Sequence, residues 1–440
     1  MSCNWPIKKL GDLVRFNSGG TPSKKNEAYW GGDIPWISAS SMNNTRYTDS
    51  DLKVSEEGSQ NGTRLVPKDT VLLLVRGGAL HNKIPVGITT KEVTFNQDVK
   101  AVVPKTTEIT PWYLLFWFVS MKKTLLAKVE NTGIGAGKLD TKILQELEIP
   151  LPPLSELKRL EAFCKALDDK LILNSETNKT LEEMAQAIFK SWFVDFDPVK
   201  AKMSGEQPEG MDAATASLFP EKLVESELGL IPEGWPVDQV GNHIDVTKGK
   251  SYKSAELQES TTALVTLKSF KRGGGYRMDG LKEYTGKYKP QQVIEAGDLV
   301  MSLTDVTQAA EIVGKPALVI DAPQYDTLVA SLDVAILRPK KTDAKQYFYG
   351  LMSTYRFHRY AESFAAGTTV LHLSPKGITT FEFACPSAEL VEKYHEFAAP
   401  IFAKIEANIL ESKELAKLRD TLLPKLLSGE IELETATENK

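Results

Sequence analysis

Trp5-Pro-Ile-Lys-Lys-Leu-Gly-Asp-Leu-Val-Arg-Phe-Asn-Ser-Gly19 returns 230 residues later as Trp235-Pro-Val-Asp-Gln-Val-Gly-Asn-His-Ile-Asp-Val-Thr-Lys-Gly249. Apolar positions keep their type, while most polar ones change. Further matches follow in the same order. Pro67-Lys-Asp-Thr-Val-Leu-Leu-Leu74 pairs with Ala296-Gly-Asp-Leu-Val-Met-Ser-Leu303, and Asp98-Val-Lys-Ala-Val-Val-Pro-Lys105 pairs with Asp333-Val-Ala-Ile-Leu-Arg-Pro-Lys340, the latter at an offset of 235. Tyr113 and its aromatic stretch parallel Tyr347-Phe-Tyr, and the Gly-rich turn Thr132-Gly-Ile-Gly-Ala-Gly-Lys-Leu139 parallels Ala366-Gly-Thr-Thr-Val-Leu-His-Leu373. Each half then reaches a short strand ending in proline, at Ile149-Pro150 and Cys385-Pro386. One such match is plausible by chance, but an ordered series is a duplication, and the drifting offset is the mark of loop insertions.

Each half reads as a lobe of about 150 residues followed by a helix. Within the lobes, Thr70–Val75, Val99–Val103, Leu299–Leu303 and Val334–Leu337 are short β-rich runs bounded by Gly, Pro and Asp, which marks strands and turns. Pro111–Lys128 and Ala344–Phe364 read as helical. The lobes are therefore α/β or α+β, with a strand order that the pattern does not reveal.

After each lobe the period changes. Leu157, Leu160, Cys164, Leu167, Leu171, Asn174, Asn178, Leu181, Ala185, Ile188 and Trp192 form a 3,4-spaced seam, with Pro152-Pro153 and Ser155 in front as start signals. The stretch from Phe163 to Phe193 maps without a gap, 234 residues on, to Phe397–Leu427. Lys170 falls on Lys404, Asn174 on Asn408 and Leu181 on Leu415. Two helices of about 40 residues, each roughly 60 Å long, can pair their seams as an antiparallel coiled coil. The alternative, a helix packed only on its own lobe, calls for a wider apolar face and fewer heptads. Asn174 and Asn408 read as register-fixing residues. The expected plan is a first lobe at 1–153, a helix region at 154–199, a linker at 200–234, a second lobe at 235–386, a helix region at 387–428 and a tail at 429–440. Within that linker only Ala213–Phe219 reads as helical.

Composition narrows the function. The 440 residues are 42% hydrophobic and 25% charged, ordinary for a globular protein, with a net charge of -5. Cys3, Cys164 and Cys385 are scattered and odd in number, so no disulfide framework is expected and a reducing compartment suits them. The start shows no basic cluster before a long apolar run, and Trp112–Val119, the longest apolar stretch, is too short for a bilayer, so a cytoplasmic protein without a membrane span is expected. No Asn-Pro-Pro-aromatic or Asp-Pro-Pro-aromatic motif occurs, which argues against a DNA methyltransferase. Thr132–Leu139 fails as a phosphate loop at both ends, lacking the first Gly and the hydroxyl after Lys138. There is no His-x-x-x-His or Cys-x-x-Cys for zinc, and no Gly-x-Ser-x-Gly. No catalytic or metal-binding residue is assigned, and no cofactor is expected in this chain.

The charge is uneven. Residues 1–153 hold 19 Lys and Arg against 15 Asp and Glu, and residues 235–386 hold 18 against 16. Residues 154–234 hold 9 against 16, and residues 387–440 hold 7 against 11. Both lobes are positive and both helical regions acidic; phosphate attraction acts over about 10 Å, so the lobe charge matters more than the total. The cations sit in Gly-rich loops whose backbone can approach a duplex closely. In the first lobe the candidates for DNA contact are Ser18, Thr21, Ser23, Lys24, Lys25, Asn26 and Tyr29, then Arg76, Lys83 and Lys138. In the second they are Lys248, Lys250, Ser251 and Tyr252, then Lys268, Lys271, Arg272, Tyr276 and Arg277, then Lys287 and Lys289. Trp30 and Trp36 read as core or turn anchors.

The ordering Trp5-Pro-x-x-x-Leu-Gly-Asp, Gly19-Gly-Thr-Pro-Ser, Tyr29-Trp-Gly-Gly-Asp-Ile-Pro-Trp36, Ile149-Pro-Leu-Pro-Pro-Leu-Ser-Glu156 and Phe189-Lys-Ser-Trp-Phe-Val-Asp-Phe-Asp-Pro198 resembles the specificity subunit of type I restriction–modification systems. The resemblance covers nearly the whole chain, although the second lobe lacks the Gly-Thr-Pro-Ser and Tyr-Trp-Gly-Gly strings. It implies a subunit without catalysis of its own, whose two target-recognition domains each read half of a split double-stranded DNA site. The helices would serve as spacer and as docking surface for two methyltransferase subunits. Those partners would bring S-adenosylmethionine, and restriction/translocase subunits would bring ATP and Mg²⁺ chemistry. The alternative is a duplicated protein-binding scaffold with an acidic coiled-coil assembly interface.

Overall fold

The computed structural model describes residues 5–132, 135–306 and 309–433. Cys3, Gly133 and Ile134 of the Gly-rich turn, and residues 434–440 of the tail lie outside them. The chain forms two compact units, one of Met1–Leu173 with Glu411–Lys440 and the other of Asn174–Leu410.

In the first unit, the strands Val14–Ser18, Val99–Pro104, Val71–Leu74, Val86–Thr89 and Arg46–Tyr47 lie in that order in one sheet. A second sheet orders Lys53–Val54, Trp30–Ile37, Val93–Phe95 and Leu65–Val66. The helix Pro111–Ser120 starts on a Thr110 cap with proline in its first turn, and Tyr113 through Val119 are all buried, so it sits inside the core rather than on it.

The second unit repeats this frame. Ile244–Lys248, Val334–Pro339, Leu299–Ser302 and Pro316–Leu318 form one sheet, and Lys282–Glu283, Thr262–Val265, Thr327–Ala330 and Val293–Ile294 form the other. Register carries the duplication to the residue. Val14 pairs with Pro104 and Ile244 with Pro339, and the opening strands pair with the closing ones, Ile7 with Pro150 and Val237 with Ala384. Gly11 and Gly241 each stand where a Cβ would meet a short helix, at Gln145 and at Thr379 respectively.

The long helices run Leu154–Phe193 and Ala388–Leu427, 40 residues each. Within the first unit, Lys170 pairs with Glu411 at 3.0 Å. Within the second, the Asn174 amide donates to the Asn408 carbonyl at 3.4 Å, the Asn178 amide to the Ile405 carbonyl at 3.2 Å, and the Tyr394 hydroxyl to the Ala185 carbonyl at 3.3 Å. Partner numbers fall as the first helix advances, so the pairing is antiparallel. The seam also reaches into the lobes. Leu157, Leu160 and Cys164 join the first unit's core together with Leu423, Leu426 and Leu427, while Phe189, Trp192 and Phe193 join the second unit's core together with Leu390 and Tyr394. Lobe packing and helix pairing thus share one stripe.

Polar contacts fix the first helix to its lobe. Asp168, 2% exposed, accepts from Arg46 Nε at 2.9 Å and Thr45 Oγ1 at 2.6 Å. Arg46 also reaches Asp169 and lies over the Trp112 ring. Arg46→Ala leaves a buried carboxylate with one hydroxyl partner. A loss of about 3 kcal/mol is expected, the lower end for a broken buried pair because Arg46 keeps some solvent contact. Denaturant unfolding of the first unit, read against Lys158→Ala on an exposed face of the same helix, measures it.

Segment 200–234 is more ordered than its composition suggests. Helices Asp197–Met203 and Ala213–Ser217 are followed by a hairpin of Leu223–Ser226 and Gly229–Pro232. Val199, Phe219 and Ile231 are buried, so burial of a few apolar side chains orders a chain rich in Pro, Gly and Glu. No described helix is long and apolar enough to cross a membrane.

Candidate nucleic-acid interface

Strand register brings several loops of the first unit to one end of its five-stranded sheet. Ser18 pairs with Lys100 and Leu74 with Val99, and Val75 N–H donates to the Asp98 carbonyl, so residues 18–26, 96–98 and 76 are neighbours. Gly19 makes this possible. A Cβ there would lie 2.1 Å from the Phe95 carbonyl oxygen, and Gly20 N–H donates to that same oxygen at 2.9 Å. The indoles of Trp36 and Trp30 donate to the carbonyls of Gly20 (3.0 Å) and Ser23 (3.3 Å), which makes both tryptophans anchors of this loop. Thr21 Oγ1 donates to Gln97 Oε1 at 2.7 Å, and Asn26 caps the short turn Glu27–Tyr29. Lys24 and Lys25 are exposed at the tip; Tyr29 is half-buried.

Arg76 and Lys138 are paired across a small sheet, Lys138 also meeting Asp140 at 3.3 Å. The backbone N–H of Lys142 and the Lys138 ammonium hold the Asp140 carboxyl below its ordinary range. Lys83 is exposed. Sequence reasoning missed Arg64, whose Nε donates to the Ser18 carbonyl at 3.0 Å, Lys100, whose ammonium donates to the Ser18 hydroxyl, and Gln97 at the exposed turn. The Asn96-Gln97-Asp98 turn between two apolar runs was the one signal present.

The second unit places different side chains on the same frame. Gly249 packs on the Ser331 carbonyl as Gly19 packs on that of Phe95, and Lys250 N–H donates to the Ala330 carbonyl at 2.7 Å. Where the first unit has Ser18, Gly20 and Gln97, the second has Lys248, Lys250 and an exposed Leu332. Where Arg76 pairs with Lys138, Thr304 pairs with His372. Lys289 joins Lys248 through Gln292, whose side chain accepts from the Lys289 N–H and donates to the Lys248 carbonyl. The Lys287 carbonyl receives the Tyr284 hydroxyl, and Lys282 lies over the Tyr252 ring. Ser251 and Lys287 are exposed.

The segment Lys268–Arg277 does not join that group. Gly273 and Gly275 donate to the carbonyls of Glu311 and Pro316, at the edge of the four-stranded sheet opposite Lys248. Tyr276 is 5% exposed and packs in the core with Phe270, so it presents no face to a duplex, contrary to its sequence reading. Arg277 is held by both Asp279 oxygens, which lowers the Asp279 pKa and raises that of Arg277. Arg272 meets Glu311 at 3.4 Å, and Lys271 lines a cavity with Tyr349, Phe402 and Glu406. Lys268 remains exposed.

Residues 3–183 match the family model described as the type I restriction modification DNA specificity domain. The specificity subunit of the type I restriction enzyme MjaIX from Methanocaldococcus jannaschii is 27% identical over 450 residues, covering 98% of this chain and 94% of that one. Its first lobe and helix thus carry the type I restriction modification DNA specificity domain, and nearly its whole length is similar to type I specificity subunits. The HindI specificity subunit of Haemophilus influenzae is 24% identical over 75% of this chain and 79% of its own length. A crystal structure of the type I S subunit from M. genitalium shares the fold with a TM-score of 0.50 at 14% identity, covering 96% of each chain. The family match falls on the first lobe and the helix after it, and the strand registers extend the same frame to the second lobe.

Proposed function

We propose that this chain is a DNA-recognition subunit whose two lobes read unlike halves of a bipartite, asymmetric site. The observation that carries this is the repeated loop frame bearing different side chains: Ser18, Gln97 and Lys138 in one lobe, against Lys248, Leu332 and His372 in the other. Gln offers a bidentate partner to adenine and Leu an apolar contact for a thymine methyl, so equal frames with unequal tips read unequal bases. The long helices act as spacer and dock two methyltransferase subunits. Those partners supply S-adenosylmethionine, and restriction/translocase subunits supply ATP and Mg²⁺ chemistry; this chain contributes recognition and no catalytic group.

The test is equilibrium binding with the co-purified methyltransferase, over a library of split sites at several salt concentrations. Sequence-selective binding with a steep salt slope is the expected result; salt-steep binding without selectivity overturns the reading. In the same assay, Lys24→Ala with Lys25→Ala weakens binding to all sequences alike and lowers the salt slope by about 0.9 per lost phosphate contact. Removing one heptad from both long helices at paired positions shortens each by about 10 Å, so the preferred gap contracts by about three base pairs. An unchanged gap would show that the helices do not set the spacing.

A further inference from the structure

Where the second lobe opens and closes, three donor side chains converge. Asp238 Oδ2 lies 2.8 Å from His243 Nε2, and Cys385 Sγ lies 3.9 Å from the same nitrogen. The three donor atoms are all within 4.8 Å of one another. A thiol, an imidazole and a carboxylate also make up a nucleophilic triad, but a triad sets the carboxylate on one ring nitrogen and the thiol on the other. Here both crowd one nitrogen, which is how donors sit around a shared cation. Tetrahedral zinc sets O and N donors about 3.3 Å apart and N and S donors about 3.6 Å apart, so a cation replaces the 2.8 Å hydrogen bond and draws the 3.9 Å pair together by a few tenths of an ångström.

The surroundings orient each donor. Asp238 Oδ1 accepts from Asn242 Nδ2 at 2.6 Å and from Gln239 N–H at 2.7 Å, which leaves Oδ2 to face His243. The imidazole packs by Phe383 and Phe348, at ring distances of 5.5 and 6.1 Å. The Cys385 N–H donates to the Pro236 carbonyl, and the His243 carbonyl accepts from Lys340 N–H. The Cys385 thiol itself donates to the Pro386 carbonyl at 3.7 Å, and polar partners on a carboxylate such as those of Asp238 Oδ1 are of the kind that surround metal ligands. His243 and Cys385 also line a cavity of about 500 Å³, with room for water at a fourth position. The register-equivalent positions in the first lobe are Lys8, Leu13 and Leu151, which make no such set.

We propose that Asp238, His243 and Cys385 bind one zinc-class divalent cation. Cys385 Sγ releases its proton to solvent as the sulfur–metal bond forms, His243 binds as the neutral ring through Nε2, and Asp238 binds through Oδ2. The cation staples the lobe's opening strand, Val237–Gln239, to the residue three before the second long helix, joining positions more than 140 apart in sequence. It serves the lobe's stability and the aim of that helix, and it takes no part in reading DNA.

The full chain, stripped with chelator and desalted, is titrated with Co²⁺ as a spectroscopic probe. A saturating sulfur-to-cobalt charge-transfer band at one equivalent is expected, and Zn²⁺ should bleach it. The band is lost in Cys385→Ser and weakened in Asp238→Asn. Independently of any variant, Zn²⁺ at about 100 times its Kd slows alkylation of Cys385 about 100-fold, as mapped by peptide mass spectrometry. A band that persists in Cys385→Ser, no saturable band at all, or an alkylation rate indifferent to Zn²⁺ each overturns the proposal.

Discussion

Phe189→Ala is expected to lower the stability of the second unit by about 3–5 kcal/mol, the range for removing a buried aromatic ring. The ring is 2% exposed and lies 5.1 Å from Phe193, 5.5 Å from Tyr347 and 5.7 Å from Tyr394. Those neighbours come from the long helix itself, from the helix Lys345–Ser353 and from the second long helix, so no single element can move to fill the void. Gly350 shows how closely the ring is held, since a Cβ there would lie 2.3 Å from a Phe189 ring carbon. Trp192 adds edge contacts to Phe219 and Tyr394 and extends the cluster to the segment after the helix. Urea unfolding followed by hydrogen exchange in the second unit measures the loss. Met184→Ala, on the same helix but 46% exposed, should change stability by less than about 0.5 kcal/mol. Equal effects from the two substitutions would mean that the helix end is held by something other than this cluster.

The same cluster explains why Phe189–Pro198 stands out in the sequence. Its counterparts one repeat later, Leu423, Leu426 and Leu427, are buried in the first unit's core. The aliphatic version gives no motif to notice, although the role matches. The seam itself was legible because 3,4 spacing reports which face of a helix is covered, whatever covers it. Leu157 and Leu160 meet lobe side chains while Asn174 meets the opposing helix, and spacing is blind to that difference. Strand positions were legible for a similar reason: the offsets of 230 and 235 are reproduced by the pairings of Val14 with Pro104 and of Ile244 with Pro339.

Site residues were less legible, because a loop's composition does not say which way its side chains point. Tyr276 sits in a string of cations and glycines, yet pairs with Phe270 across a tight turn and is buried. Gln97, Arg64 and Lys100 are separated in sequence from the Gly19–Asn26 loop and reach it only through sheet register. Asp238, His243 and Cys385 have no metal-site spacing, because their proximity is made by the pairing of the lobe's first and last strands.

Gly19→Ala and Gly249→Ala should separate the two halves of recognition. Each glycine lies against a carbonyl that a Cβ would approach to 2.1 Å (Phe95) or 2.0 Å (Ser331), and the obstruction is backbone, so no rotamer change relieves it. The strand end must shift, which costs about 1–3 kcal/mol of unit stability by analogy with overpacked cores. In the first lobe that shift carries away the Thr21–Gln97 contact and the indole-anchored tip with Lys24 and Lys25. In the second it moves Lys248 and Lys250. Gly19→Ala should therefore lose discrimination at one half-site by at least about tenfold, for a single base contact worth 1–3 kcal/mol, while the other half-site keeps its preference. Gly249→Ala should show the reverse. Binding to paired libraries, each randomised in one half only, reads the two effects separately. If either substitution degraded both halves equally, the lobes would not be independent readers, and the unlike tips on their shared frame would need another purpose.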